Sequence, residues 1–270
     1  MSQFPLTNKH LKQQTPTLFT EEPHFEVSDK YHFIPTIDVI EEIRVYNWYP
    51  VSVSEANVRD DDEKQGYQQH LVRFRHFDDL LTPQENAVEL LLFNSHDRSK
   101  SFSISAGIYR FVCSNGLVIA DSVFETYKIK HLGERENNVA NAVESITAIK
   151  PKLMQKIQTL ESIQLSQQEQ ESFAKLSIPL RFEKHIQINH TDLLVPHREE
   201  DTKDDLYTVL NVIQENLLRG NISGVNKETG RAFTSREITS IGKDVEVNQG
   251  LWDIAERIAF IKQPQMAQAA

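Results

Sequence analysis

The stretch from residue 93 to 118, FNSHDRSKSFSISAGIYRFVCSNGLV, concentrates side chains that could do chemistry. A thiol with a histidine base forms a nucleophilic pair, and a histidine beside a carboxylate can transfer protons or bind a metal ion. Cys113, however, is predicted at the C-terminal end of a helix, where the macrodipole disfavours a thiolate. His96 and Asp97 belong to an NSHD sequence that is also typical of a polar turn. We therefore predict no catalytic residue and no metal site, with a functional polar cluster at NSHD as the alternative.

Basic side chains suggest a second chemistry, which is contact with phosphates. Alternation between residues 67 and 77 predicts a strand with Arg73 and Arg75 on one face, and further cations are expected on or beside the same sheet. Residues 67–135 also contain eight acidic residues against eight basic ones, so ion pairing within the protein is the favoured alternative to a basic groove. The candidate nucleic-acid contacts are Arg73, Arg75, Arg98, Lys100, Arg110, Lys128, Lys130, Lys227, Arg231, Arg236 and Lys243.

The last four of these cations come from a glycine-rich segment, residues 219–243. It holds four of the nine glycines and five basic residues against two acidic ones. Backbone N–H groups and arginines in such a segment can contact phosphates. The order GxxxxGK[ST] of a phosphate-binding loop is missing, so nucleotide hydrolysis has no support. A flexible surface loop is the favoured interpretation of this segment, and a mobile nucleic-acid contact is the alternative.

Composition limits the class of protein. The chain has 270 residues, 39% of them hydrophobic, and a formal net charge of −10. A single cysteine excludes an internal disulfide and a cysteine-rich zinc module. No apolar run approaches the ~20 residues of a membrane span, and the N-terminus has no apolar core of a signal peptide. We expect a cytoplasmic protein without membrane contact or cofactor.

Periodicity predicts the elements that position these residues. Helices are expected from Thr36, which would be the N-cap, to Asn47, and over Ile104–Cys113 with a cap at Ser114–Gly116, although Ile108–Cys113 could also be a short buried strand. A long helix over 137–160 should kink or break at Pro151. The other predicted helices start at a Ser166–Glu169 capping box and cover 204–219, capped by Gly220, and 248–262. Strands are expected at 51–54, 67–77, 88–93 and 117–130.

These elements predict an α+β fold, in which an antiparallel sheet is packed by the long helix and followed by a helical C-terminal region. The expected organisation is an irregular arm over residues 1–30, a core domain over 31–177, a proline-punctuated linker over 178–203, a helical region with the glycine-basic loop over 204–262, and a tail over 263–270.

Several blocks of the sequence resemble the YfjQ/YafZ/YubP-like proteins, a family whose domain has no known function. The blocks are FIPT at residues 33–36, the stretches 91–118 and 213–224, and the segment from Gly230 to Trp252. The resemblance covers nearly the whole chain. It implies a protein carried by plasmids and prophages, in the neighbourhood of anti-restriction and single-strand-binding genes, and it supplies no catalytic residues. The order of elements from 37 to 160 is also similar to that of single-strand annealing proteins, which is an analogy of pattern alone.

The preferred hypothesis is a non-enzymatic DNA-binding protein of a mobile genetic element that binds or anneals single-stranded DNA, with a homo-oligomer as the annealing form. The alternative is a protein-binding anti-defence module of the anti-restriction type. Its acidic surface would compete for a DNA-binding site on a host defence protein. A metal-dependent nuclease acting through Asp97 comes third, because the sequence has no paired-carboxylate motif.

Overall fold

A meander of antiparallel strands dominates the first half of the chain. The strands are β1 (Trp48–Glu55), β2 (His70–His76), β3 (Asn86–Asn94), β4 (Ser103–Arg110), β5 (Asn115–Val118) and β6 (Tyr127–Lys128). Their order is β1-β2-β3-β4-β5, and β6 pairs with β4. The pairs β1–β2, β2–β3, β3–β4 and β4–β6 are antiparallel, so this part of the predicted fold class is confirmed.

This computed structural model describes residues 4–24, 33–56, 66–96, 102–111, 115–118, 127–128 and 135–269. The chain divides into two units. The first comprises Met1–Gly116 with Ser122–Pro151, and the second comprises Leu117–Asp121 with Lys152–Ala270. The division falls near Pro151, whereas the sequence predicted a domain boundary at residue 178.

Four helices accompany the sheet along the chain. They are α1 (Asn8–Gln14), α2 (Thr36–Val45), α3 (Phe77–Leu81) and α4 (Arg135–Ser162). One face of the sheet, with Trp48, Phe74 and Leu90, is fully buried. Trp48 Nε1 donates to Thr147 Oγ1 on α4 over 3.1 Å, and this bond confirms that the long helix packs on the sheet. Burial of such large apolar side chains supplies about 1.5–3 kcal/mol each.

Three predicted details in this part are wrong. The stretch expected to be a helix over Ile104–Cys113 is strand β4 up to Arg110, while 112–114 lie outside the described residues. Apolar side chains lie on both faces of this strand, so its sequence lacks the alternation of polar and apolar residues that predicts a strand. Thr36 is the first residue of α2 and Pro35 its N-cap, because the Thr36 hydroxyl is used elsewhere. The break that was one of the two alternatives at Pro151 does not occur, since α4 continues through this residue.

The second unit combines helices with a small sheet. Its elements are α5 (Gln167–Ser177), β7 (Ile186–Ile188), α6 (Leu206–Arg219), β8 (Ser223–Asn226), β9 (Ala232–Thr234) and α7 (Ile241–Ala269). The capping box is present, because Ser166 N donates to Glu169 Oε2 over 2.7 Å. Gly220 caps α6 with φ 78°, as predicted. No helix within the described ranges is long and apolar enough to cross a membrane.

The segment 178–203 is not a free linker. It contains β7 and three short 3₁₀ helices, at Ile178–Leu180, His190–Leu194 and Glu199–Asp201. Arg198 forms a bidentate pair with Glu215 of α6, with both N–O distances 2.7 Å. The hydrogen bonds to Glu215 and then to Asp201 raise the pKa of Arg198 above its usual value. These contacts are long-range, so the prolines and polar residues alone could not reveal them.

The glycine-basic segment is a β-hairpin with short flanks, and not an irregular loop. Strands β7, β8 and β9 form a three-stranded antiparallel sheet in that order. In the turn, Asn226 Oδ1 accepts hydrogen bonds from the backbone N–H groups of Glu228 and Thr229, at 3.0 and 3.1 Å. Gly230 follows with φ 67°, the left-handed conformation that glycine favours.

Candidate nucleic-acid interface

The predicted basic stripe of the large sheet is buried. Arg73 and Arg75 share one strand face, as the alternation predicted, but they are only 4% and 1% exposed. Both bind the same carboxylate, that of the fully buried Glu89, with N–O distances of 2.9 Å. These two arginines therefore cannot reach a phosphate backbone in this conformation, and the alternative of internal ion pairing describes them correctly.

Arg75 also packs between aromatic rings. Its guanidinium carbon lies 3.7 Å from the centre of the Tyr109 ring and 4.6 Å from that of Phe111. The two rings meet edge to face with their centres 5.0 Å apart. A guanidinium over an aromatic face is stabilised by the ring quadrupole, more so when water is excluded. The arrangement fixes Arg75 on the sheet as a structural cross-link.

The other candidates near the large sheet do not complete a basic groove. Arg110 is 2% exposed, and its Nη2 lies 3.3 Å from Glu85 Oε1. Lys128 lies on strand β6, of which only the backbone is described. Arg98, Lys100 and Lys130 lie outside the described residues. Asp97 and Cys113, the candidates for metal binding and nucleophilic attack, also lie outside them.

The blocks FIPT and NSHD meet in a buried polar network on the opposite face of the sheet. Thr36 Oγ1 lies 2.8 Å from His70 Nε2 and 3.4 Å from His96 Nε2, and it accepts a hydrogen bond from Asn94 Nδ2 over 3.0 Å. All four residues have no exposed surface. The NSHD block is thus more than a surface turn, since its asparagine and histidine tie β3 to the start of α2.

Backbone carbonyl groups near the two histidines determine which ring nitrogen of each imidazole carries a hydrogen. His70 Nδ1 lies 3.2 Å from the Gln68 carbonyl and His96 Nε2 lies 3.1 Å from the Thr17 carbonyl, so each of these nitrogens must donate. His70 Nε2 then accepts the hydroxyl proton of Thr36. Neutral imidazoles suit these contacts, and every member of the network is buried.

The cations of the hairpin have the opposite environment. Lys227, Arg231 and Arg236 are exposed, and no ion pair involves them within the described residues. Lys243 is set apart, because it binds Glu246 over 2.9 Å. Sequence reasoning missed Lys184, which is also exposed and lacks an ion pair within the same residues. The backbone N–H of Lys227 donates to the His185 carbonyl over 2.8 Å, which brings Lys184 to the turn end of the hairpin.

Arg181 holds the other end of the hairpin. Its guanidinium donates to the carbonyls of Leu217 and Arg236. Burial lowers the pKa of Arg181 from its usual value. Beside this contact, a side chain at Gly220 would place a Cβ 2.6 Å from the Arg236 carbonyl oxygen, so only glycine fits. Arg236 is thereby fixed at the end of β9 that lies away from the turn.

One face of the hairpin sheet, which we call the outward face, is exposed and carries no charge. Register places Gln187 beside Val225, Val225 beside Ala232, and Ser223 beside Thr234. All five of these residues are exposed. An open groove of about 940 Å³ is lined by these five residues together with Ile188, Asn189, His190, Gly224 and Phe233. The opposite face packs Phe233 over Gly224, where an added Cβ would lie 2.7 Å from the ring.

Comparison with known proteins identifies the family. A match to a domain of unknown function, DUF932, extends over residues 23–252. The chain belongs to the DUF932 family. It is 32% identical over 255 residues to UPF0380 protein YafZ and, over the same length, to UPF0380 protein YfjQ, both from Escherichia coli strain K12. Each alignment covers 94% of this chain and 92% of the relative. No solved structure matches.

The DUF932 match confirms the resemblance based on the sequence blocks. It runs through both the meander and the hairpin sheet and ends at the fully buried Trp252. The domain therefore includes the buried arginine cluster, the polar network and the cationic hairpin. Among the described side chains of this DUF932 chain, no group of three or more His, Cys, Asp or Glu residues is placed to hold a metal ion.

Proposed function

We propose that this protein is a non-enzymatic nucleic-acid-binding protein whose contact surface is the hairpin β8–β9 together with Lys184. One observation carries the proposal. Lys184, Lys227, Arg231 and Arg236 are exposed cations without an ion pair in the described part of the chain, and they flank an uncharged sheet face. Such cations can replace the counterions of a phosphate backbone, which is the main source of nucleic-acid affinity.

The segments that form this surface carry a net positive charge, although the chain as a whole is acidic. Residues 181–190 contain two basic and one acidic residues, and 219–243 contain five and two, which gives a net charge of +4 in a chain of −10. Glu183 lies 3.4 Å from His185 and is thus directed to a neighbour, while Glu228 remains in the turn. The acidic remainder of the protein repels phosphates, so it would confine a nucleic acid to the hairpin.

The favoured ligand is single-stranded DNA of a mobile genetic element. The resemblance to plasmid- and prophage-borne proteins supports this choice, and so does the small size of the cationic surface. Three or four cations suit a short stretch of one strand and fall short of the 6–10 phosphate contacts of many duplex-binding proteins. Strand annealing would require several copies, so a homo-oligomer on DNA belongs to the same proposal.

Fluorescence anisotropy with a labelled single strand over a salt series tests the proposal. With three or four phosphate contacts, log K should fall with log salt at a slope of about −2 to −3, or about 20- to 50-fold between ~50 and ~200 mM. Lys227→Ala/Arg231→Ala should reduce the slope by about 1.4. The matched control is Lys9→Ala/Lys203→Ala, which removes two exposed lysines from elsewhere and should leave the slope unchanged.

Absence of binding at ~50 mM salt would overturn the proposal, since electrostatic contacts are strongest there. Equal salt slopes for the hairpin variant and the control would also overturn it. In the first case, recovery of a restriction or nuclease complex on the immobilised protein would point to the anti-defence function instead.

A further inference from the structure

The groove over the outward face has a chemistry distinct from that of the cations around it. Its lining combines the amide of Gln187 and the hydroxyls of Ser223 and Thr234 with the apolar Val225 and Ala232. Within the described residues none of the three polar side chains makes a hydrogen bond. They present both donors and acceptors to whatever enters the groove.

We infer that this groove is a base-binding subsite for a single-stranded nucleic acid, an inference that rests on the proposed function. Unpaired bases would lie on the outward face, with their polar edges hydrogen-bonded to Gln187, Ser223 and Thr234. The phosphates on either side would be held by the hairpin cations. The phosphate contacts alone do not distinguish a strand with exposed bases from one without them. The groove adds this preference.

The positions of the cations support this arrangement. Arg231 begins the returning strand of the hairpin at the turn, and Arg236 is fixed beyond its other end by Arg181. Four residues lie between them, three of which form β9, so the five Cα–Cα steps span at most roughly 16 Å in an extended chain. The β9 residues that line the groove lie between these two positions in the chain, so a strand that contacted both cations would pass these residues.

The size and surface of the groove also favour bases over a duplex. Its volume of about 940 Å³ lies within the ~300–1,000 Å³ of small-molecule pockets. In a duplex the hydrogen-bonding edges are directed to the complementary strand or lie in the grooves, whereas bases of a single strand can be splayed onto a protein surface. The groove is also lined by Ile188, Gly224 and Phe233, so apolar contacts add to the hydrogen bonds of the polar side chains.

His190 marks one rim of the groove. It lies 3.5 Å from Glu171 Oε2, which is too long for a hydrogen bond but close enough to favour one orientation of the imidazole. Glu171 also lies 3.7 Å from Lys175 Nζ, so its charge is partly balanced, and His190 is placed beside the bases by its position in the lining of the groove.

The test compares two ligands of about 12 nucleotides that differ only in their bases. One is oligo-dT, and the other is the same sugar-phosphate chain with abasic sites. The wild-type protein should bind the abasic chain about tenfold more weakly with an unchanged salt slope, because two or three hydrogen bonds are lost while the phosphate contacts remain.

A charge-neutral variant locates the effect. Gln187→Leu/Thr234→Val should lower affinity for oligo-dT about tenfold and leave affinity for the abasic chain and the salt slope unchanged. Gln168→Leu/Thr239→Val is the matched control, since both residues are exposed and outside the groove. Far-UV circular dichroism and thermal unfolding verify that both variants are folded.

The outcomes separate the two proposals. If the wild type binds neither ligand at low salt, the proposed function fails and the subsite fails with it. If it binds both equally, or if the groove variant behaves as the control does, phosphate binding stands and the base subsite is overturned.

Discussion

Glu89→Gln is the most informative single substitution in the large sheet. The Glu89 carboxylate is fully buried and accepts from Arg73 Nη1 and Arg75 Nε, each over 2.9 Å. The amide keeps the volume of the side chain but removes its charge and replaces one acceptor oxygen with a donor. Two buried guanidinium groups would then lose the carboxylate that they share.

The expected cost follows from this geometry. Breaking a buried ion pair by removing one partner typically costs about 3–5 kcal/mol, because the remaining charge is left in a poorly polarisable interior. The value here should lie at the upper end, since two arginines depend on one carboxylate. In a protein of this size, such a loss corresponds to a decrease in Tm of about 10–15 °C.

The assay is urea unfolding followed by tryptophan fluorescence, because Trp48 is fully buried in the same unit. Glu85→Gln is the matched control: its carboxylate is 48% exposed and lies 3.3 Å from Arg110, so the cost should be below about 1 kcal/mol. The triple variant Arg73→Leu/Arg75→Met/Glu89→Leu should recover most of the lost stability. A Glu89→Gln protein as stable as the Glu85→Gln control would refute the assignment of a shared buried carboxylate.

Two further predictions concern other parts of the chain. Thr36→Val should destabilise the first unit by about 1–3 kcal/mol, because His70 and Asn94 lose the hydroxyl between them; an unchanged urea midpoint would contradict the buried network. The hydrogen bond from Lys262 and those from Ser166 lower the pKa of Glu169 from 4.5. Their stabilisation should be present above that pH and lost as the pH falls through the lowered pKa, so a Glu169→Gln variant should be less stable than the wild type at pH 6, by a difference that shrinks as the pH falls below 4.5.

Local chemistry made several elements predictable from the sequence. The alternation around Arg73 and Arg75 predicted β2, the Ser166–Glu169 box predicted the start of α5, and Gly220 predicted the end of α6. These signals depend on side-chain period or on hydrogen bonds between residues close in the chain. For the same reason β4 was mistaken for a helix, since burial on both faces leaves no clear period.

The sequence by itself determined the family, the α+β class, the mixed polar and cationic character of the blocks that resemble the family, and the strand face on which Arg73 and Arg75 lie. Only the tertiary structure decided which cations face water. Glu89 lies 14 residues from Arg75 and neutralises it across β2 and β3, whereas the hairpin cations extend from a sheet too small to enclose them. The sequence shows which residues are charged, but it does not show whether each charge is buried or exposed. An arginine that is buried beside a carboxylate has a structural role, whereas an exposed arginine without such a partner is available to a phosphate.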